Sequence, residues 1–225
     1  MGIFVNLFKK KPPVEKLMRT FEELEKYALS DPSHFLLKNV DCTDDYPKFK
    51  FFPNLLSSKS VIESSEPCQC CGKVDKYSYV AGMFCEEEIV HLCLNCIANG
   101  EAAKKFKGEF YDRKAIANRT TDKDATDEIM YRTPTYVSWQ DPEWLSHCKT
   151  PCIYIGQVYI GDLFKLGIYK QVRTELAKTF YYKQMPMTIA EIDDMLVDMV
   201  EDSSLEGHLF KCITCDKYKL HIDLD

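Results

Sequence analysis

The stretches Cys68-Gln-Cys-Cys71-Gly72 and Cys93-Leu-Asn-Cys96 constrain this chain more than any others. Two Cys-x2-Cys pairs about twenty residues apart have the spacing of a structural four-cysteine zinc site. Two thiolates three positions apart in a tight turn can share one metal ion. The span between the pairs is long enough for a hairpin that returns the second turn to the first. Gly72 suits the exit from such a turn, where φ > 0 carries no steric cost for glycine. A disulfide pair and a redox Cys-x-x-Cys are the rival readings, and the spacing favours zinc.

A second cluster is Trp144-Leu-Ser-His147-Cys148, then Cys152, then Cys212-Ile-Thr-Cys215. Cys148, Cys152, Cys212 and Cys215 give four thiols for a second tetrahedral site. Closing the loop of about sixty residues costs only logarithmically more than closing a short one. His147 is the alternative to Cys148 as ligand, and another reading leaves Cys148 and Cys152 as core thiols. Asp216 stands after the last knuckle where glycine is expected, and aspartate tolerates left-handed geometry. The expectation is therefore two Zn2+ per chain. Cys42, Cys70 and Cys85 are left over and read as small core residues. Cys70 is left out because it and Cys71 cannot both reach one ion that Cys68 also binds.

The 225 residues are 45% hydrophobic and 28% charged, which suffices for a sizeable core. Eleven cysteines with clustered Cys-x2-Cys pairs suit a reducing cytoplasm better than a disulfide framework. The first 12 residues lack a secretory pattern, and no apolar run approaches a membrane span. Gly2 hints at myristoylation, but Asn6 stands where that signal needs Ser or Thr. A net charge of −6 argues against a general nucleic-acid binder and allows attraction to a basic partner.

Val14, Leu17, Met18, Phe21, Leu24 and Ala28 recur at helical spacing up to about Leu29, and Pro32 follows. Lys48–Pro53 reads as an extended entry to the first module and Ser57–Ser65 as a loop. Tyr77–Val80 reads as a strand, Phe84–Val90 as a weaker one, and Glu101–Phe106 as a short helix. Asp122–Glu128 reads as a solvated loop. Ile153–Ile160 has strand composition. Asp162 then caps a helix carrying Leu163, Leu166, Val172, Leu176 and Phe180, with Gly167 a mild flaw. Thr188-Ile-Ala-Glu191 matches a capping box opening a helix with Ile189, Ile192, Met195, Leu196 and Met199 on one face. The fold expected is α+β: small antiparallel strands organised by two four-cysteine zinc sites, with packed amphipathic helices. Residues 1–47 form a helical extension and 48–225 the zinc-binding domain.

No His-Glu-x-x-His, zinc-deaminase His-x-Glu or phosphate-cradling glycine loop is present. Closed four-thiolate sites have no open position for substrate, so no enzyme activity and no catalytic residue is expected.

The combination of motifs resembles the CbrC family, an uncharacterised bacterial family with several Cys-x2-Cys motifs. The matching pieces are Phe49–Pro53, Cys68–Gly72, Cys93–Gly100 with Ala102–Phe106, Tyr131–Pro134, Trp139-Gln140, Trp144–Cys148, Cys152 and Cys212–Cys215, over residues 48–225. Asp216 departs from the usual glycine. The family's name is linked to tolerance of a DNase colicin, and related genes resemble immunity genes beside bacterial toxins. The resemblance implies an immunity-type protein that binds and neutralises a cognate toxin with a basic surface, of nuclease type. The alternative is a zinc-ribbon-like nucleic-acid-binding or regulatory protein, for which Lys104-Lys105-Phe106-Lys107 is a local patch. A zinc-dependent enzyme is the third class. Between Pro186 and Gly207 there are seven acidic residues and no basic ones. Glu191, Asp194, Asp198, Glu201 and Asp202 are the partner-binding residues expected there, with Asp193 in the same run. A solvated helix face is the bland reading of the same charges.

Overall fold

The computed structural model describes residues 20–30, 46–112, 116, 120–140, 142–201 and 203–224. The residues expected at 1–19, Asp31, Pro32, Cys42 and Asp202 lie outside that set.

A three-stranded antiparallel sheet of β1 (Ile153–Val158), β2 (Leu205–Lys211) and β3 (Tyr218–Leu224) lies between two apolar cores. Leu209 and Phe210 are adjacent on β2, so their side chains point to opposite faces, and both are fully buried. Phe210 joins Tyr154, Tyr136 and Trp144 in the first core; Leu209 joins Val158, Leu205 and Leu220 in the second. The sequence reading did not anticipate β2 and β3.

The second core is helical. Here αA (Phe21–Ser30) packs on αB (Ile160–Lys165), and αC (Tyr169–Tyr182) packs on β3 and on αD (Ile189–Val197). The described helix αA begins at Phe21, and the expected residues Val14–Arg19 lie outside the described set. Thr20 is its cap: the Thr20 N–H donates to Glu23 Oε2 at 2.8 Å and the Glu23 N–H to Thr20 Oγ1 at 3.2 Å. The expected single helix after Asp162 is two helices. Gly167, at φ +67°, breaks it in the left-handed region, so it is a boundary rather than a flaw. The strand also ends earlier than expected, at Val158. Asp162 is not the cap but lies in the first turn, accepting from the Tyr159 N–H at 2.9 Å. αD begins as expected, with Glu191 N–H donating to Thr188 Oγ1 and Thr188 N–H to Glu191 Oε2.

The first core collects the cysteine-rich half. A small antiparallel sheet contains β4 (Val61–Glu63), β5 (Tyr77–Tyr79) and β6 (Leu92–Cys93), with β5 in the middle. The partner strand is Leu92–Cys93, not Phe84–Val90, whose chain makes one isolated bridge from Phe84 to Glu109. In that segment Val90 and His91 N–H donate to the Gln69 amide oxygen rather than to a ladder. Ser57–Ser65 is not all loop, because it contains β4. Lys48–Pro53 is not extended but turned, with Phe52 N–H donating to Phe49 O; this buries Phe49, Phe51 and Phe52 together. αE (Leu94–Ala98) and αF (Glu101–Phe106) follow β6. Asp122–Glu128, expected as a loop, is capped by Asp122 and forms αG (Lys123–Arg132), burying Ala125, Thr126, Ile129 and Met130. Its charges occupy the outer face and mask the apolar i, i+4 pair Ala125–Ile129.

Leu196 is fully buried under αD. Leu196→Ala should lower stability by about 2–5 kcal/mol, read as a lower denaturant midpoint; an unchanged midpoint would detach αD from the core.

Candidate metal centres and acidic face

The first cysteine set is complete. The Cys68 turn is closed by the Gly72 N–H donating to Cys68 O at 2.7 Å and the Cys68 N–H to Lys73 O at 2.9 Å. Gly72 has φ +74°, the conformation its position called for. The β5–β6 pairing sets Cys93 opposite Ser78, and αE carries Cys96 one turn on. One sulfur from each of Cys68, Cys71, Cys93 and Cys96 lies within 4.8 Å of the others. Cys71 Sγ and Cys93 Sγ are 3.9 Å apart; tetrahedral zinc thiolates with bonds near 2.3 Å would separate sulfurs by about 3.8 Å. These four residues could hold a metal ion. Cys70 stays outside the set, half-buried, and Cys85 donates to Glu87 O at 3.1 Å.

The second set differs from the expected four thiols. His147, Cys148, Cys212 and Cys215 come together within 4.8 Å, and Cys152 is not a member. Short strands β7 (Ser146–His147) and β8 (Thr150–Pro151) pair across Cys148 and Lys149, both at positive φ, 51° and 62°. That is the backbone pattern of a two-residue hairpin turn whose twist matches its strands. It carries His147 and Cys148 to the tip. Cys152 lies past the hairpin, fully buried, its carbonyl accepting from Trp144 Nε1 at 2.8 Å. Cys152 is thus a core thiol and His147 the fourth group. His147 Nδ1 is 3.2 Å from Cys148 Sγ and 3.3 Å from Cys215 Sγ. The other knuckle is the β2–β3 turn, where Cys212 N–H donates to Lys217 O at 2.8 Å and Asp216 takes φ +58°.

The acid–base behaviour of the thiols fits ligand sets. Burial alone would raise Cys68, but the Cys93, Cys71 and Cys70 N–H groups and the Cys93 thiol outweigh it and lower it. Cys212 is lowered to about 6: burial opposes this, and the Thr214 and Cys215 amides and His147 overcome it. Their neighbours move up. Burial first, despite the Cys96 groups, takes Cys93 to about 11. The Cys215 thiol first takes Cys148 to about 11. Burial takes Cys152 to about 12. Thiolates crowded together resist ionising one after another, and a shared cation removes that resistance.

The acidic run divides by burial. Glu191, Asp194, Asp198 and Glu201 are exposed. Asp193 turns inward, accepting from Tyr169 OH and pairing with Arg173, each at 2.7 Å, so it ties αC to αD. Glu191 is engaged in the Thr188 cap. No ion pair engages Asp194, Asp198 or Glu201 among the described residues. The sequence reading missed Tyr181 and Tyr182, 69% and 80% exposed, at the end of αC leading to αD. The only local signal was two adjacent aromatics at a helix end, where one 3.6-residue stripe cannot bury both. In the Lys104–Lys107 patch, Lys105 is committed to the Gln69 and Cys70 carbonyls at 2.8 and 2.7 Å. No helix among the described residues is long and apolar enough to cross a membrane.

The fold and sites define an α+β protein with two clusters that could hold metal, one of four cysteines and one of three cysteines and a histidine. It belongs to an uncharacterised protein family, UPF0167, whose model matches residues 46–224. UPF0167 proteins of Mycobacterium bovis and Mycobacterium tuberculosis are each 25% identical over 179 residues, spanning 79% of this chain and 92% of the relative. One from Pseudomonas aeruginosa is 34% identical over 123 residues, 54% of this chain and 69% of the relative. No solved structure matches.

Cys148 and Cys215 are exposed, whereas Cys68, Cys93 and Cys96 are buried. If both sets hold metal, a chelator should therefore strip it in two phases, the second set first. Cys215→Ser should abolish the fast phase, and Cys152→Ala should leave it intact. A Cys152→Ala protein lacking the fast phase would restore Cys152 as ligand. Protons compete for thiolates, so both sets should release metal as the pH falls, with melting temperature falling alongside.

Proposed function

We propose that this protein is a zinc-stiffened binding protein that acts by covering a basic macromolecular partner rather than by turning over a substrate. On the CbrC resemblance, that partner is a bacterial toxin of nuclease type, and the protein is its immunity-type inhibitor inside the cell. The single observation that carries the reading is the αC–αD hairpin. It presents exposed Asp194 and Asp198, with Glu201 just beyond αD, none of them in an ion pair among the described residues, and carries the exposed Tyr181 and Tyr182 at the far end of αC. Aromatic anchors with complementary charge are the usual composition of an interface hot spot. A nuclease must engage a polyanion, so its working surface is basic, and acidic groups can occupy it. Opposite charges also speed encounter, which suits an inhibitor that must act before damage is done.

Zinc is proposed for both clusters because soft thiolates with one imidazole, in closed sets of four, match its structural sites. Metal analysis of the purified protein should return about two zinc ions per chain. Cys93→Ser should cause aggregation or a large fall in melting temperature.

The interface is tested by co-expression with a neighbouring toxin gene and by a binding assay. Asp194→Lys with Asp198→Lys should weaken association more at low salt than at high, because screening removes the lost attraction. Tyr182→Ala should weaken it at all salt concentrations. If neither change alters protection or binding, the hairpin is a solvated face and the reading fails.

A further inference from the structure

A third group of ligating side chains lies on the β2–β3 hairpin, away from both cysteine sets. Glu206 and Asp223 are cross-strand partners, and His208 lies two residues along β2 on the same face. One ligating atom from each of the three falls within 4.8 Å of the others. His208 Nε2 is 3.9 Å from Glu206 Oε2 and 3.8 Å from Asp223 Oδ2. His208 is 1% exposed and Asp223 fully buried, and His208 Nε2 has no hydrogen-bond partner among the described residues.

Like charges directly opposite on neighbouring strands repel, and burial sharpens the repulsion. Lys59 Nζ approaches Glu206 Oε1 at 3.1 Å, which neutralises one carboxylate from outside and leaves Oε2 facing inward. Asp223 is strongly hydrogen-bonded: Ser138 Oγ and Trp139 N–H donate to Oδ2 at 2.6 and 2.5 Å, and Gln140 N–H donates to Oδ1 at 3.2 Å. Burial would raise its pKa, but His208 and these donors overcome that and hold it well below the usual carboxylate range. It is thus a carboxylate in the core.

In one of its two neutral tautomers the His208 ring can act as a ligand. Its Nδ1 is 3.0 Å from Tyr154 OH. Donation from Nδ1–H to that oxygen leaves a lone pair on Nε2 aimed between the two carboxylates. Metal-bound histidines are commonly oriented in this way by a hydrogen bond at the other ring nitrogen. His208 and Tyr154 also border a cavity of about 20 Å³, enough for one water to accept a hydrogen bond from the phenol.

We propose that Glu206, His208 and Asp223 form a third metal site, for a divalent transition-metal ion held by one imidazole and two carboxylates. The donor set is harder than the thiolate clusters and suits ions such as Mn2+ that compete poorly for sulfur. With bonds near 2.1 Å the nitrogen–oxygen separations would close to about 3.0–3.4 Å, a contraction of roughly half an ångström. Three protein ligands leave positions for water. The bound ion would also fix Asp223, and through it the segment Ser138–Gln140.

The test adds Mn2+ to zinc-loaded full-length protein and follows free Mn2+ by electron paramagnetic resonance. One further ion per chain is expected. Glu206→Gln, at the partly open rim, should weaken its binding by more than roughly tenfold, with zinc content unchanged. Asp194→Lys with Asp198→Lys should leave it unaltered, since the acidic helix face is elsewhere. Nitrogen NMR of the wild-type ring gives a reading that does not depend on any variant folding: Mn2+ should broaden His208 most strongly, with His221, stacked on it at 6.0 Å, broadened alongside. The proposal is overturned if no Mn2+ binds, if binding survives Glu206→Gln, or if both His208 nitrogens stay protonated with Mn2+ present. That last result would make the group an imidazolium bridging two carboxylates.

Discussion

Burial of both faces of one narrow sheet is the constraint on which the rest of the structure depends. Three strands offer little backbone pairing, and a sheet of that size needs apolar cover to be stable. Here the aromatic groups of the cysteine-rich half cover one face and the helices cover the other. Tyr154 illustrates the density of the first face, with Tyr136 stacked on it at 4.5 Å and Phe52 edge-on at 4.7 Å. The opposite face brings Met199 close to Gly207, where any side chain on β2 would collide with the sulfur. Two differently built halves therefore share one set of hydrogen bonds, and neither can shift without disturbing the other.

The cysteine knuckles project from this arrangement. One lies in the first half, with Cys68, Cys93 and Cys96 already part of the core. The other joins the tip of the β7–β8 hairpin to the turn between β2 and β3. A metal ion at either place would cross-link segments distant in sequence. In the proposed reading these closed sets contribute shape, and recognition lies on the αC–αD hairpin.

Much of this was legible from local patterns. The first cluster, the Gly72 and Asp216 turns, the Thr188 cap and the strand at Ile153 each depend on neighbours in sequence, and each stands where its residues pointed. What failed depended on partners far away. Cys148-x3-Cys152 resembles a ligand pair, yet only the hairpin geometry reveals that the chain reverses at Cys148 and takes Cys152 into the core beside Trp144. Asp122–Glu128 carries its charge on the outer face of a helix whose apolar side needed a core to declare itself. Gly167 was weighed by propensity when its backbone angle was decisive. The Glu206–His208–Asp223 group has no linear signature, since strand register alone brings residue 223 to residue 206.

The spacing of the two knuckles along the chain has a consequence in time. The first set needs only residues 68–96, so a nascent chain can acquire that metal early in its synthesis. The second joins residues 147–148 to 212–215, and the shared sheet likewise awaits its last two strands. Until residues 205–224 leave the ribosome, Phe210 and Leu209 cannot cover either core, and the aromatic surface of the first half stays open. Metal capture at the first knuckle would hold that half in a folded, soluble form through the interval. The order of the clusters in the sequence would then also be an order of assembly, with the C-terminal hairpin completing both the second metal site and the core.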